Sequence, residues 1–258
     1  MRHIIHILLL TIALGARATE LTDSADMAYD DGNFDRAIEL YTRALTDEGS
    51  SSDLYYNLGN AYYRTGNSAQ AILAYERALR LNPANTEAKA NLSFVNERIA
   101  DKQGENGSFL YNTYVSLSAL LSSNSWALAA IVLMLITVAG GFVYAMASAV
   151  VIRKIGFFGA IATALCCLIA IVMSFAARAR ANDNTYAVIT AQSTTLSTAP
   201  HTPRNSSEEA MILHEGTKVR ILRTIGLEAD STSLVWHEVQ VDNKHRAWIN
   251  DADIEKIL

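Results

Sequence analysis

The sequence is poor in cysteine and proline and has no cluster of basic residues. Its only cysteines, Cys166 and Cys167, are adjacent inside an apolar run, so no disulfide can join the polar parts of the chain. Both polar regions are acidic: residues 19–108 contain fifteen Asp or Glu against eight Lys or Arg, and residues 182–258 contain eleven against seven. Nucleic-acid binding needs clustered positive charge, so this composition argues against it. We expect partners that are basic or apolar.

Charged side chains are also missing from two long stretches, residues 126–152 and 155–177. Each is long enough to cross about 30 Å of hydrocarbon as a helix, and core helices of soluble proteins keep a polar face. We therefore predict two transmembrane helices joined by a tight hairpin turn at Arg153-Lys154. Because neither span holds a charged side chain, we interpret the pair as an anchor and not as a transport path.

Small residues recur at four-residue spacing in both apolar stretches, which would allow helices to approach closely. They are Gly141 and Ala145 in the first stretch, and Gly156, Ala160 and Ala164 in the second. Two interpretations stay open, namely packing within this hairpin and contact with a helix of a partner. Residues 103–125, ahead of the first span, form a linker with an apolar-aromatic segment suited to the membrane interface.

The N-terminal segment 1–18, MRHIIHILLLTIALGARA, has a basic start, a short apolar core and an A-x-A-type end. This pattern predicts a secretory signal peptide cleaved after Ala18, since the apolar core is too short to span a bilayer. An uncleaved anchor is the alternative. Export of the following domain requires the turn at Arg153-Lys154 to be cytoplasmic and both polar domains to lie outside the cytoplasm.

The chain also matches itself at a spacing of about 34 residues, a period typical of helical repeat proteins. The matched pairs are Gly32 and Gly66, Ala37 and Ala71, Tyr41 and Tyr75, Ala44 and Ala78, and Leu45 and Leu79. This is the period of the tetratricopeptide repeat, which the second copy resembles at Tyr55, Leu58, Gly59, Tyr62, Gly66, Ala71, Tyr75, Ala78 and Pro83. We therefore predict an all-α domain at 19–102, with repeats at about 18–51 and 52–85 and a capping helix at 86–101.

Each repeat position has a physical role. Small residues are expected where paired helices touch (Ala37, Gly59, Ala71, Ala78), glycines where the chain turns (Gly32, Gly66), and proline where the second pair ends (Pro83). Stacks of this kind usually need about three repeats to be stable. We therefore expect another surface to complete this one.

Stacked helix pairs present the first helix of each pair along a concave groove, which is the default binding surface. The predicted contact residues are Tyr56, Asn60, Tyr63, Arg64, Asn91 and Phe94. Asn60 and Asn91 have the spacing at which the peptide-binding domains that this region resembles place two asparagines on a peptide backbone. Tyr56 replaces the lysine of the carboxylate-binding subtype, which argues against capture of a peptide carboxyl terminus. The alternative is that both asparagines are solvated surface residues.

After Arg180 the apolar pattern alternates with a period of two, which predicts about five short strands. The order LHEGTKVRIL, VWHEVQV and RAWINDADIEKI resembles a bacterial SH3-like domain. Residues 182–258 are therefore predicted to form a small all-β SH3-like barrel that ends in a short helical turn. The usual Asn-Val-Arg near the first strand is replaced by TTLSTAP, and Ala247 replaces a glycine, which leaves a ligand groove in doubt.

No catalytic or metal site is expected. His201, His214, His237 and His245 lie on separate predicted strands and loops without a close-spaced ligand pair, so we interpret them as surface or edge-strand residues. No Ser/His/Asp set or phosphate-binding loop can be assembled, and both cysteines lie in a predicted span. We therefore expect neither a cofactor nor enzymatic activity.

The order of signal peptide, two tetratricopeptide repeats, membrane hairpin and SH3-like domain resembles the BatE component of the Bacteroides aerotolerance family. The resemblance covers nearly the whole chain and includes YYNLGNAYYRTGNSAQAILAYERALRLNP, LSSNSWA, IGFFGAI and ILHEGTKVRIL. It implies a multidomain inner-membrane protein with periplasmic domains, working beside von Willebrand factor A-type and tetratricopeptide proteins of the same system. The expected function is a non-enzymatic scaffold in an aerotolerance or envelope stress system. The alternative is a cell-wall-sensing or signalling module whose SH3-like domain binds peptidoglycan or peptides.

Overall fold

The computed structural model describes residues 21–101, 109–229 and 232–257. The chain divides into two compact units. The first contains the helical repeats and a β-sheet, and the second contains two long apolar helices with a shorter helix before them. The signal peptide predicted for residues 1–18 lies outside the described residues.

The repeat region of the first unit is all-α, as predicted. Its helices are α1 at residues 21–30, α2 at Phe34–Asp47, α3 at Ser52–Arg64, α4 at Ser68–Leu81 and α5 at Thr86–Asn96. Side-chain oxygens of Asn33, Ser51 and Asn85 cap the starts of α2, α3 and α5 by accepting a backbone N–H three residues later. Gly32 and Gly66 end the turns after α1 and α3 with φ of 76° and 81°, a conformation that favours glycine.

Small residues allow α3 and α4 to pack closely. A Cβ atom on Gly59 would lie 2.6 Å from Cε1 of Tyr75, so the Tyr75 ring can lie against the α3 backbone only because residue 59 is glycine. Ala37, Ala71 and Ala78 have no exposed surface. Helix α4 ends at Leu81, two residues before Pro83, whose ring cannot continue a helix.

The C-terminal part of this unit is a seven-stranded antiparallel sheet. Its strands are β1 Tyr186–Ile189, β2 Ser193–Ser197, β3 Glu209–His214, β4 Lys218–Ala229, β5 Thr232–Gln240, β6 Arg246–Asn250 and β7 Ile254–Lys256. They are ordered β3-β2-β6-β5-β4-β1-β7, and among the described residues the two end strands do not pair. A β-sheet region was predicted with about five strands; the described residues form seven, and their pairing does not close into a barrel. A 3₁₀ turn at Asp251–Asp253 precedes β7.

The sheet packs against α4 and extends the core of the repeats. Val188 of β1 and Ile257 belong to the same buried cluster as Ile72 of α4 and Val95 of α5. A Cβ atom on Gly216, in the turn before β4, would lie 2.8 Å from Cδ1 of Ile72. The sheet thus supplies the further surface that two repeats and one helix need.

Polar contacts border this apolar junction. They are the ion pairs Glu76–Lys218 and Arg77–Glu255, the Asp101 hydrogen bonds with His214 and Thr217, and the Arg80 bonds to Asn184 Oδ1 and the Ile257 carbonyl. The Asp101 carboxylate accepts from the His214 backbone N–H at 2.6 Å and from the Thr217 hydroxyl at 2.8 Å. Burial acts to raise the pKa of Asp101, but the hydrogen bonds from His214 and Thr217 outweigh it, and the net effect lowers that pKa.

The second unit is a helical hairpin. Helix α6 spans Phe109–Ser118, α7 spans Ser123–Met146 and α8 spans Val150–Ala181. By length and composition, α7 and α8 can each cross a membrane. The turn between them lies at residues 147–149, so Arg153 and Lys154 lie in the first turns of α8 and not at the predicted turn. Residues 147–152 are also apolar. The basic pair that follows them therefore shows where the uncharged stretch ends, but not where α7 ends.

Close packing in this hairpin involves Gly140, Gly156 and Ala160. A Cβ atom on Gly156 would lie 2.8 Å from the Tyr144 backbone nitrogen, and one on Gly140 would lie 3.2 Å from the Ala160 Cβ. A Cβ atom on Gly141 would meet nothing within 4 Å, and Ala145 is also exposed. In this hairpin, therefore, the first-helix glycine at the close approach is Gly140.

Hydroxyl groups also join the two long helices. Thr137 and Thr163 place their Oγ1 atoms 2.9 Å apart, and Ser123 donates to the Ser174 carbonyl at 3.1 Å. At the end of α8, Arg180 donates to the Ser118 hydroxyl at 2.9 Å and to the Ser118 carbonyl at 3.2 Å. Arg180 thereby satisfies carbonyl groups at the C-terminus of α6.

Candidate binding groove on the repeats

Side chains of α1, α3 and α5 contact one another in sequence and form one continuous surface. Asn57 of α3 reaches Asp26 of α1, and Asn91 of α5 reaches Asn60 of α3. These three are the first helix of each pair and the capping helix. The surface, which we call the groove, includes all six predicted contact residues.

Asn60 is the centre of a hydrogen-bond network in the second repeat. Its Oδ1 accepts from the Tyr75 hydroxyl at 2.7 Å and from Asn91 Nδ2 at 2.8 Å. The two predicted asparagines are thus bonded to each other, and Tyr75 holds the Asn60 amide in place. Asn60 Nδ2 makes no hydrogen bond within the described residues and remains available as a donor.

The same network occurs one repeat earlier, with Asp26 in place of Asn60. Asp26 Oδ1 accepts from the Tyr41 hydroxyl at 2.5 Å and from Asn57 Nδ2 at 3.3 Å. The repeat period therefore applies to the polar contacts as well as to the helices.

Both tyrosine hydroxyls remain protonated in these networks. Burial raises the pKa of Tyr41, and the hydrogen bond to Asp26 adds to that increase. Burial also raises the pKa of Tyr75, although the Asn91 amide partly opposes it. Each hydroxyl therefore acts as a hydrogen-bond donor throughout the physiological pH range.

Aromatic rings and arginines form the other part of the groove. Tyr63 packs edge-on against Phe94 with ring centroids 5.7 Å apart, and the Arg98 guanidinium lies 3.4 Å from the Phe94 centroid. The Arg64 guanidinium lies 4.3 Å from the Phe34 centroid and 5.9 Å from that of Tyr29. The groove thus combines partly exposed ring surface with cations held over it.

Five of the six predicted residues fall into three small groups. Asn60 meets Asn91, Tyr63 meets Phe94, and Tyr56 lies 6.2 Å from Tyr75 between ring centroids. Arg64 instead contacts rings at the end of α1 and the start of α2.

Sequence reasoning missed several groove residues, namely Asp26, Tyr29, Phe34, Asn57, Tyr75 and Arg98. The offset between the two repeats could have found most of them, because Asp26 precedes Asn60, Tyr29 precedes Tyr63, and Arg98 follows Arg64 by that spacing. Phe34 has no such signal, since its counterpart is Ser68.

A separate cavity of about 500 Å³ lies where the repeats meet β7. Its walls combine polar and apolar side chains, among them Thr42, Leu45, Tyr55, Tyr62, Gln70, Arg77 and Glu255. Gln70 and Arg77 both donate to the Glu255 carboxylate, so the charges in this cavity already have partners.

His237 differs from its predicted surface or edge position. The side chain is fully buried, with Nδ1 2.8 Å from Thr224 Oγ1 and Nε2 2.7 Å from Asp251 Oδ1. A Thr/His/Asp hydrogen-bond chain thus exists, although none could be assembled from the sequence, because strand pairing brings Thr224 opposite His237. Within the described residues, no three His, Cys, Asp or Glu side chains are placed to hold a metal ion.

Comparison with known proteins identifies the repeats. Residues 22–86 match the family described as Tetratricopeptide repeat. The chain is 32% identical over 73 residues to a protein SGT1 homolog of Oryza sativa subsp. japonica, covering 28% of this chain and 20% of that protein. It is 29% identical over 87 residues to tetratricopeptide repeat protein 16 of Mus musculus, covering 34% of this chain and 11% of that protein. The matched segment therefore spans a fifth or less of these relatives, and the chain carries a tetratricopeptide repeat domain.

Proposed function

We propose that this chain is a non-enzymatic, membrane-anchored scaffold whose groove holds an extended segment of a partner protein. Tetratricopeptide repeats imply a protein–protein interaction scaffold. The observation that carries the proposal is the Asn60 amide, which Tyr75 and Asn91 orient while its Nδ2 donor remains available. An oriented amide of this kind can hydrogen-bond a peptide carbonyl without recognising a particular side chain.

The aromatic residues would add affinity to this backbone recognition. Phe94 is 43% exposed, Tyr63 beside it is partly exposed, and so is Tyr56. Tyrosine rings are frequent anchors in protein interfaces because they bury a large apolar area and keep a polar tip. Tyr56, Tyr63 and Phe94 are therefore the proposed side-chain anchors, while Asn60 and Asn91 contact the backbone.

We further propose that α7 and α8 anchor the chain in an inner membrane, with both polar domains on the periplasmic side and Arg153-Lys154 in the cytoplasm. Arg153 and Lys154 at one end of α8 are balanced by Arg178 and Arg180 at the other, so charge alone does not decide the orientation, and the predicted export signal supports it. Arg180, at the other end, is bound to α6 carbonyl and hydroxyl groups. A compartment-sensitive reporter fused after Leu258 should be active only outside the cytoplasm, and cytoplasmic activity would contradict this orientation.

The resemblance to the aerotolerance family extends the proposal to partners. It favours von Willebrand factor A-type and tetratricopeptide proteins of an envelope stress system as partners. It also favours an SH3-like domain as the identity of the sheet region. The competing hypothesis is a wall-sensing role in which the sheet binds peptidoglycan or peptides. Sedimentation of the full chain with purified peptidoglycan, unaffected by substitutions in the groove, would favour that hypothesis.

Photo-crosslinking in cells tests the scaffold proposal directly. A photoreactive amino acid at Tyr63 or Phe94 should form an adduct with a second protein after irradiation. The matched control is the same amino acid at Arg43, on the exposed face of α2. Adducts at neither groove position, or equal adducts at Arg43, would contradict partner binding in the groove.

A further inference from the structure

The second-repeat end of the groove is positively charged, although the repeat region as a whole is acidic. Arg64 and Arg98 are one repeat period apart and occupy the same position in successive repeats, where the first repeat has Asp30. All three side chains are exposed. A segment lying along the groove would therefore meet an exposed arginine at the end of α3 and another after the end of α5.

Arg64 is held in place by rings and not by a carboxylate. Its guanidinium lies over Phe34 and Tyr29, which pack edge-on with centroids 5.2 Å apart. Among the described residues Arg64 forms no ion pair, whereas Arg36 and Arg43 of the neighbouring helix α2 are each paired with an acidic side chain. A guanidinium stacked by its face keeps its N–H donors free at its edge, and those donors match a carboxylate.

Arg98 is fixed in a similar way. It lies over Phe94 and donates to the Phe94 carbonyl at 2.7 Å, which uses one of its five N–H groups. Its charge therefore remains on the groove surface beside the Tyr63–Phe94 pair.

We propose that this end of the groove selects an internal Asp or Glu side chain of the bound segment, with Arg64 as its direct partner and Arg98 adding to the local positive charge. The inference rests on the proposed function, since it assumes that an extended segment occupies the groove. The inference differs from the expectation of a basic or apolar partner. That expectation came from the net acidic charge of the repeat region, which does not reflect the local charge of these two arginines.

Peptide arrays can test the proposal with the detergent-solubilised full chain. The probes are nonapeptides with acetylated and amidated ends, so that no terminal carboxylate is present. Their central residue is Glu, Gln or Lys, and the flanking positions are randomised in the same way in all three sets. We expect the Glu set to bind about threefold to fivefold more tightly than the Gln set, which is the contribution of an exposed ion pair, and the Lys set to bind most weakly.

Substitutions at Arg64 and Arg43 test whether Arg64 is responsible for the preference for Glu. Arg64→Gln should abolish the preference for Glu over Gln, and Arg64→Lys should retain only part of it, because a lysine lacks the planar edge. Arg43→Gln, which removes an exposed arginine outside the groove, should leave the preference intact. Equal binding of the Glu and Gln sets, or a Glu preference that survives Arg64→Gln, would overturn the inference and leave the scaffold function standing. Absence of binding to every set would overturn both.

Discussion

Lys218 Nζ donates to both carboxylate oxygens of Glu76, at 2.8 Å each. The pair joins β4 to α4, and both side chains are largely shielded from water. Lys218 also lies 4.9 Å from the Tyr186 ring centroid. A pair with this geometry stabilises the docked sheet more than an exposed ion pair would.

Loss of this pair should weaken docking of the sheet. We expect Lys218→Met to lower the free energy of unfolding by about 1–3 kcal/mol, because the Glu76 carboxylate loses its partner in a shielded position. Chemical denaturation of the solubilised chain measures this change. The exposed pair Arg36–Glu39 is the control, and Arg36→Met should cost no more than about 0.5 kcal/mol. Equal losses in the two variants would contradict the role of Glu76–Lys218.

Docking should also depend on pH through Asp101. Its lowered pKa means that the folded state favours the carboxylate. The resulting stability is present above the ordinary Asp value of 3.8 and is lost as the pH falls through the lowered folded value. We expect the stability difference between the wild type and Asp101→Asn to be constant near neutral pH and to shrink below pH 3.8.

Hydrogen exchange at the His214 amide is the direct measurement for Asp101. That N–H donates to the carboxylate, so its protection should fall with the pH in the wild type. In Asp101→Asn it should be weaker at neutral pH and nearly independent of pH. Unchanged protection in the variant would show that Asp101 does not hold the turn.

The repeated networks predict which substitution the groove tolerates. Asp26→Asn should change the free energy of unfolding by no more than about 0.5 kcal/mol, since Asn60 already accepts the same two hydrogen bonds in the second repeat. Tyr41→Phe should cost about 1 kcal/mol, because Asp26 then loses its shorter hydrogen bond. Thermal unfolding monitored by circular dichroism compares them. A larger loss for Asp26→Asn than for Tyr41→Phe would show that the charge of Asp26 matters more than its geometry.

Packing of the hairpin can be tested at Gly156. The variant Gly156→Val places a side chain 2.8 Å from the Tyr144 backbone and should separate α7 from α8, whereas Gly141→Val points into open space. The readout is disulfide formation between cysteines replacing Thr137 and Thr163, with Cys166 and Cys167 changed to alanine. We expect efficient crosslinking with Gly141→Val and little with Gly156→Val. The reverse order would mean that the close approach uses the other glycine.

The sequence predicts the parts of this fold that depend on short-range periodicity. The resemblance to the tetratricopeptide repeat placed Gly59 against the partner helix, and uncharged length identified α7 and α8. The turn at 147–149 was missed because its residues are as apolar as their neighbours. Strand β2 has a weak strand pattern in the sequence because it is rich in serine and threonine, with Leu196 as its only large apolar residue.

Long-range contacts could not be derived in this way. Glu76 and Lys218 are 142 residues apart, and Asp101 and His214 are 113 apart, so nothing local links them. In the groove, Asn60 and Asn91 were predicted as neighbours of a peptide, but their mutual hydrogen bond depends on how α3 and α5 stack. The stacking of Arg64 on Phe34 likewise requires the turn between α1 and α2 to bring that ring within reach.

Helix α4 has a part in both surfaces of the first unit, because Tyr75 orients Asn60 while the neighbouring side chains of Ile72 and Glu76 meet the sheet. The docked sheet therefore holds α4, and with it the Asn60 amide, in a fixed orientation before any ligand binds. Preorganisation of this kind reduces the entropy lost on association. Loosening the sheet should consequently weaken binding of the proposed partner segment through faster dissociation.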